Sequence, residues 1–217
     1  MNEPNPALEL ARIRGLMDRS TRFLSLSGLS GIWAGLMALG GALAAHRYIT
    51  AFTAPQHDPI TYGPVRGDQH YEGLLWTLVT LAALVLVTAL LGAFWFTWRR
   101  ASRSGTDLWD ASARRLLVNL ALPLIAGGLY CLALLWHGLP GTAMAATLVF
   151  YGLALLNASK YTLDEIRWLG LSEAALGVMA AFWPSVGLFF WGLGFGVLHI
   201  VYGALMYMRY ERTQASA

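Results

Sequence analysis

Long apolar runs alternate along this chain with shorter polar segments. A helix needs roughly 20 apolar residues to cross a hydrocarbon core about 30 Å thick. Six runs reach or approach that length, at residues 23–48, 74–98, 116–136, 142–159, 169–183 and 186–207, of which the fifth is the weakest. Hydrophobic residues make up 57% of the chain and charged residues 12%, about half of the ~25% typical of a soluble domain. The pattern predicts an all-α, polytopic transmembrane helix bundle.

The basic residues fall mainly on one side of the predicted spans. Thirteen of the 15 lysines and arginines lie before span one, between spans two and three, between spans four and five, or after span six. Arg47 and Arg66 lie on the other side. Because positive charge in short loops stays in the cytoplasm, both termini are predicted to be cytoplasmic. Anionic lipid headgroups account for the net charge of +3, so membrane lipids are the expected partners and nucleic acid is not.

The polar segments divide the chain into three parts. Residues 1–22 place apolar and charged side chains on opposite sides of a helix. This predicts either an amphipathic cytoplasmic segment on the membrane surface or a solvated extension of span one. Residues 23–208 form the predicted transmembrane domain, and residues 209–217 a cytoplasmic tail. The first external loop, residues 50–71, contains three prolines and is predicted to lack regular structure.

Small residues spaced four apart mark faces where transmembrane helices approach closely. Gly31 and Gly35 form such a stripe in span one, and Gly192 and Gly196 form another in span six. The default interpretation is packing within the bundle. The sharper one is a homo-oligomer, or a contact with a membrane-protein partner, through these faces.

Three polar residues fall at depths where hydrocarbon makes polar groups costly. His199 lies roughly 15 Å from Arg209 along a helix, and Glu173 roughly 8 Å beyond the Arg167-Trp168 pair. Because spans five and six are antiparallel neighbours, Glu173, His199 and Tyr202 are predicted to form a cluster. Two interpretations remain open: a hydrogen-bonded tie between two helices, which is favoured, or a path for a proton or solute.

The segment between spans four and five carries several further polar groups. Thr162 and Glu165 have the spacing of a capping box, which predicts that they begin helix five. Lys160 is a candidate binding or transport residue if it pairs with Glu173 or Glu165. We expect instead that its side chain extends to the lipid headgroups.

Metal and cofactor chemistry finds little support in the sequence. A single cysteine, Cys131, excludes a disulfide framework. Haem is disfavoured because no second axial histidine faces His199 from another span, and no cofactor is predicted. Four histidines fall on the external side but have no recognised ligand spacing, so no metal site is predicted. They are His46, His57, His70 and His137.

One enzyme-like motif occurs, Gly28-Leu-Ser-Gly31 in span one. A six-helix chain with this G-x-S-G form and a histidine in its last helix resembles the rhomboid intramembrane proteases. The resemblance implies Ser30 as nucleophile and His199 as base. It departs from that family because the rhomboid serine lies on the fourth helix and the other signature residues have no match. Walker loop, HExxH and CxxC motifs do not occur either. The sequence thus predicts no enzyme, with a serine hydrolase as a remote alternative.

A second resemblance covers nearly the whole chain. Segments 23–31, 158–162 and 194–203 resemble those of small, uncharacterised multi-pass proteins of bacterial inner membranes. The resemblance implies the topology and no activity. We therefore expect a non-enzymatic component that binds a partner or helps to regulate or assemble other proteins, with transport of a proton, ion or small solute as the alternative.

Overall fold

The described part of the chain is almost entirely helical. A computed structural model describes residue 23 and residues 26–53, 69–105 and 109–212. The predicted N-terminal segment, most of the predicted external loop and the end of the tail lie outside these ranges. Within the loop prediction, residues 50–53 and 69–71 belong instead to helices.

Seven α-helices, two 3₁₀ turns and one π-helical segment follow one another in these ranges. The α-helices are α1 Gly28–Thr53, α2 Gln69–Ser104, α3 Ala111–Trp136, α4 Pro140–Ala158, α5 Asp164–Phe182, α6 Gly187–Trp191 and α7 His199–Tyr210. Two 3₁₀ turns, Ser159–Tyr161 and Pro184–Val186, precede α5 and α6. A π-helical segment, Gly192–Leu198, joins α6 to α7. We call α6, the π segment and α7 together the last rod.

Several of these helices are long and apolar enough to cross a membrane. Five segments qualify by length and composition, and they are Gly28–Phe52, Glu72–Arg103, Ala111–Trp136, Pro140–Tyr161 and Pro184–Tyr210. The α5 helix falls short by itself because it carries Asp164, Glu165, Arg167 and Glu173 within 19 residues. The described residues thus form a helical bundle compatible with a multi-pass membrane protein, with α5 as the sixth long helix.

The helices are arranged in a simple order. The most extensive contact is between α4 and α5, and α3 packs against the outer side of α4. At the opposite side, α1 packs against both α2 and the last rod. The outer helices α2 and α3 therefore keep most of their apolar surface exposed.

Glycines bring the helices together at two interfaces. A Cβ on Gly152 of α4 would lie 2.6 Å from the carbonyl oxygen of Gly170 in α5, and one on Gly170 would lie 2.8 Å from that of Gly152. At the other interface, a Cβ on Gly203 of the last rod would lie 2.7 Å from the carbonyl oxygen of Gly28 in α1. In lipid, where helices associate largely by van der Waals contact, such approach is a principal source of stability.

The glycine stripes predicted as candidate partner faces are used within the chain. A Cβ on Gly31 would lie 3.1 Å from Cα of Gly203, and one on Gly35 would lie 2.6 Å from the carbonyl oxygen of Gly196. On the rod, a Cβ on Gly192 would lie 3.4 Å from Cβ of Ala42. The α1 helix and the last rod thus pack on each other's stripes, as the default interpretation expects, and a homo-oligomer or partner contact through these four glycines stays a prediction.

The carboxylate of Glu211, which directly follows the last rod, caps the N-terminus of α1. Glu211 accepts hydrogen bonds from the backbone nitrogen of Gly28 at 2.5 Å and from the hydroxyl of Ser27 at 3.2 Å. Its Oε1 also lies 3.5 Å from a guanidinium nitrogen of Arg100 in α2, and the same guanidinium donates to the carbonyl of Leu26. We call this end of the bundle the Arg100 end.

The start of α5 differs from the predicted capping box. The N-cap residue is Leu163, without a side-chain hydrogen bond. The Thr162 hydroxyl donates instead to the carbonyl oxygen of Phe23 at 2.9 Å, and Glu165 binds residues of α7. The prediction was wrong because both side chains have partners distant in sequence, which local spacing does not reveal.

Candidate functional site

Glu173 lies at the centre of the seam between α4, α5 and the last rod. Its exposed fraction is 0%, as is that of its neighbour Leu148. A Cβ on Gly194 of the π segment would lie 2.5 Å from Oε2 of Glu173 and 2.5 Å from a methyl carbon of Leu148. The carboxyl group therefore occupies space that a side chain at residue 194 would need.

His199 connects this carboxyl group to α4. Its Nδ1 lies 3.2 Å from Oε1 of Glu173 and 3.2 Å from the carbonyl oxygen of Gly194. Its Nε2 lies 2.8 Å from the Tyr151 hydroxyl. Because Nδ1 faces two acceptors, the assigned tautomer carries its proton there, and Nε2 accepts from Tyr151. We call Glu173, His199, Tyr151 and Gly194 the polar cluster.

Aromatic rings enclose the imidazole. The rings of Tyr151 and Phe195 stack on His199, with centroids 5.4 Å and 6.0 Å away. Phe195 also contacts Tyr151 and Trp191. This packing fixes the ring plane and limits contact with water, so polar interactions within the cluster act in a medium of low dielectric constant.

The hydrogen bonding of Glu173 is incomplete. Neither carboxyl oxygen has a partner of good geometry among the described residues, although Oε1 is within 3.2 Å of Nδ1. The distance makes His199 and Glu173 an electrostatic pair, while the geometry favours Gly194 as the acceptor from Nδ1. An acceptor left unsatisfied in a protein interior costs about 1–3 kcal/mol. Such groups are rare in native proteins and call for a physical explanation.

The backbone beside Glu173 is irregular as well. The π segment spans seven residues and includes Gly192, Gly194 and Gly196, all buried. π-Helical turns are uncommon and occur frequently at functional sites. Irregular helices near the middle of a membrane are also found where transporters bind ions. The polar cluster thus combines a buried ionisable pair with an interrupted helix.

The predicted site residues are only partly brought together. Glu173 and His199 meet, as the sequence predicts, but the Tyr202 hydroxyl lies 3.3 Å from that of Ser172 and is not in the cluster. Successive α-helical residues point about 100° apart, so Ser172 and Glu173 face different neighbours. Lys160 is exposed, which agrees with a side chain that reaches headgroups.

Sequence reasoning missed Tyr151. This residue supplies the phenol of the cluster from α4, a helix that the sequence pattern did not connect with Glu173. The available signal was a tyrosine in the middle of an apolar span, where a buried hydroxyl needs a partner.

A second polar site lies between α5 and α7 at the Arg100 end. The Glu165 carboxylate accepts from Arg209 at 2.9 Å and from the Tyr210 hydroxyl at 3.0 Å. A cleft of about 430 Å³ adjoins this contact. Its lining consists of Asp164, Glu165, Trp168, Tyr202, Leu205, Met208 and Arg209.

The residues of the G-x-S-G motif are engaged elsewhere. The Ser30 hydroxyl donates to the carbonyl oxygen of Ser27 at 2.5 Å, and both ring nitrogens of His199 face the polar cluster. The pair is therefore not arranged as nucleophile and base. Within the described ranges, no three His, Cys, Asp or Glu side chains lie close enough together to hold a metal ion.

Fold and site together define a helical bundle that has several helices apolar enough to cross a membrane and a buried carboxyl–imidazole pair. Comparison with protein-family models, curated proteins and solved structures finds no match. Functional inference therefore depends on the geometry of this chain.

Proposed function

We propose that this chain is a non-enzymatic component of a bacterial inner membrane that binds another membrane protein through the outer face of α2. The asymmetric distribution of lysine and arginine supports a cytoplasmic location for both termini and for the Arg100 end. The partner class that fits this face is a second apolar transmembrane helix.

The observation that carries the proposal is the attachment of α2 by one side only. Its 36 residues pack mainly against α1, and only 6% of its most apolar window is buried inside the chain. The α1 contact includes a hydrogen bond of 2.9 Å from the Trp33 indole to the carbonyl of Thr88, for which Gly92 leaves room. The other side presents a continuous row of large apolar side chains. They include Leu84, Val87, Leu90, Leu91, Phe94 and Trp98.

Photocrosslinking in native membranes tests this proposal. A photoreactive amino acid at Leu90, which is exposed, should give one discrete protein adduct. The same residue at Val85, which faces Gly41 of α1, should crosslink within the chain. At Leu122, the matched exposed position on α3, it should give lipid adducts.

Specificity is tested by changing neighbours of the crosslinking position. Replacing Leu86 and Phe94 by alanine should abolish the Leu90 adduct without unfolding the chain, since both side chains are exposed. The matched pair of alanines at Ile125 and Leu129 of α3, which are exposed as well, should leave it intact. Lipid adducts alone at Leu90 would contradict the proposal.

Transport of a proton, ion or small solute is the second candidate. It is favoured by the unsatisfied carboxyl oxygens of Glu173 beside the π segment. Vesicles containing the purified protein and a pH-sensitive dye test it directly. A proton flux that depends on the protein and disappears with Glu173→Gln would establish transport and displace the first proposal.

A further inference from the structure

We propose that Glu173 and His199 together bind one exchangeable proton, and that loss of this proton opens the contact between α5 and the π segment. The inference does not rest on partner binding by α2. The proton comes from water and returns to water, and only an O–H or N–H bond forms or breaks.

The net charge of the Glu173–His199 pair depends on one proton. A neutral imidazole beside a carboxylate gives the pair a charge of −1, whereas one added proton gives zero. This holds whether the proton makes Glu173 a carboxylic acid or His199 an imidazolium ion, so the argument does not depend on where it resides. A buried pair without net charge avoids the large desolvation cost of an isolated carboxylate.

The groups around Glu173 decide whether another positive charge could take the place of the proton. Glu173 has an exposed fraction of 0%, and the basic group paired with it among the described residues is His199, which is charged only when protonated. From α4, Leu148 lies beside it and Tyr151 contributes a neutral phenol bonded to His199, while the π segment contributes Gly194. The α1 helix presents Gly31 to the backbone of His199. None of these neighbours supplies a positive charge that would replace the proton.

Loss of the proton leaves a buried carboxylate on Glu173. A carboxylate without donors is stabilised when water reaches it. The space at Oε2 is filled by Leu148 and by the backbone at Gly194, so water enters only if α5 and the π segment separate. The π segment provides the adaptable element, because its helical hydrogen bonding is already irregular.

Hydrogen–deuterium exchange of residues 192–198, measured from acid to alkaline pH and corrected for intrinsic exchange rates, tests the coupling. If opening releases one proton, protection should fall tenfold for each pH unit over the range in which the closed state keeps the proton and the open state has lost it. Glu173→Gln, which mimics the protonated acid, should show high protection that does not depend on pH. Glu165→Gln, a matched change on the same helix whose carboxylate binds Arg209 instead, should keep the slope of the unmodified chain.

Spectroscopy of the unmodified protein provides a second readout in case Glu173→Gln does not fold. Infrared spectra report whether the closed state contains a protonated carboxylic acid. Resonances of ¹⁵N-labelled histidine, assigned by their loss in His199→Gln, report whether the ring is an imidazolium ion. One proton on the pair supports the proposal. An ionised carboxylate beside a neutral imidazole in the closed state, or protection independent of pH in the unmodified chain, overturns it.

Discussion

Gly203→Ala should destabilise the bundle more than a Gly-to-Ala change at an uncrowded position, because it separates α1 from the last rod. The new Cβ would lie 2.7 Å from the carbonyl oxygen of Gly28, 2.7 Å from the nitrogen of Ile32 and 3.0 Å from the carbonyl carbon of Gly31. All three are backbone atoms of one helix, so no side-chain rotation relieves the overlap. Ordinary contact begins at 3.4 Å, which requires a local separation of about 0.7 Å.

The cost follows from that separation. A gap of about 0.5–1 Å forfeits a quarter to a half of the dispersion attraction at the atoms it separates. Overpacking of this kind typically lowers the free energy of unfolding by about 1–3 kcal/mol. Unfolding of the purified protein by a denaturing detergent in mixed micelles, followed through its nine tryptophans, measures the change.

Gly40→Ala is the matched control for this prediction. Residue 40 lies in α1, and a Cβ there would have no heavy atom within 4 Å. Its effect should be neutral or stabilising by up to about 1 kcal/mol, since alanine is the better helix former. If Gly203→Ala is as stable as Gly40→Ala, the proposed close packing of α1 on the last rod is refuted.

Three further predictions concern the ends and the centre of the bundle. Glu211→Ala should lower the free energy of unfolding by about 1 kcal/mol because it uncaps α1, and Glu211→Gln should lower it less. Equal stability of the unmodified protein and both variants would contradict the cap. In double-mutant cycles of the free energy of unfolding, His199→Gln should couple to Tyr151→Phe by about 0.6–1.7 kcal/mol but be additive with Tyr202→Phe. The reverse pattern would contradict the polar cluster. Without Cys131, single cysteines at Pro59 or His137 should react with an impermeant thiol reagent in intact cells, whereas cysteines at Ser102 or Ser216 should not. Reversed labelling would invert the assignment of sides.

The sequence predicted most of the long helices well because a run of about 20 apolar residues is a strong signal for a helix that can cross a membrane. Runs of apolar residues near 20 in number have one stable arrangement in lipid, and α1, α3 and α4 were found close to their expected bounds. The prediction was poorest at polar ends. There α1 and α2 extend into the expected loop, and the Glu165 carboxylate bonds to α7 rather than to its own helix.

The candidate site was only partly predictable for a geometric reason. Glu173 and His199 could be matched by depth, since rise per residue gives height in the membrane. Depth does not specify the direction in which a side chain points, so Tyr202 was included and Tyr151 was missed. The π segment also changes the rotation of the last rod, and no pattern of apolar residues marked it in advance.

The α5 helix shows how the packing and the polar cluster depend on each other. Its own composition is too polar to qualify as a membrane span, yet Glu173 is wholly buried and Glu165 nearly so. Close contact with α4 through Gly152 and Gly170 encloses the apolar part of α5, and α7 and His199 supply partners for its two inward carboxyl groups. Because these partners follow α5 in the chain, its burial is complete only after the last rod has inserted. The same dependence makes the contact between α5 and the π segment the part of the bundle that is most sensitive to the charge on Glu173.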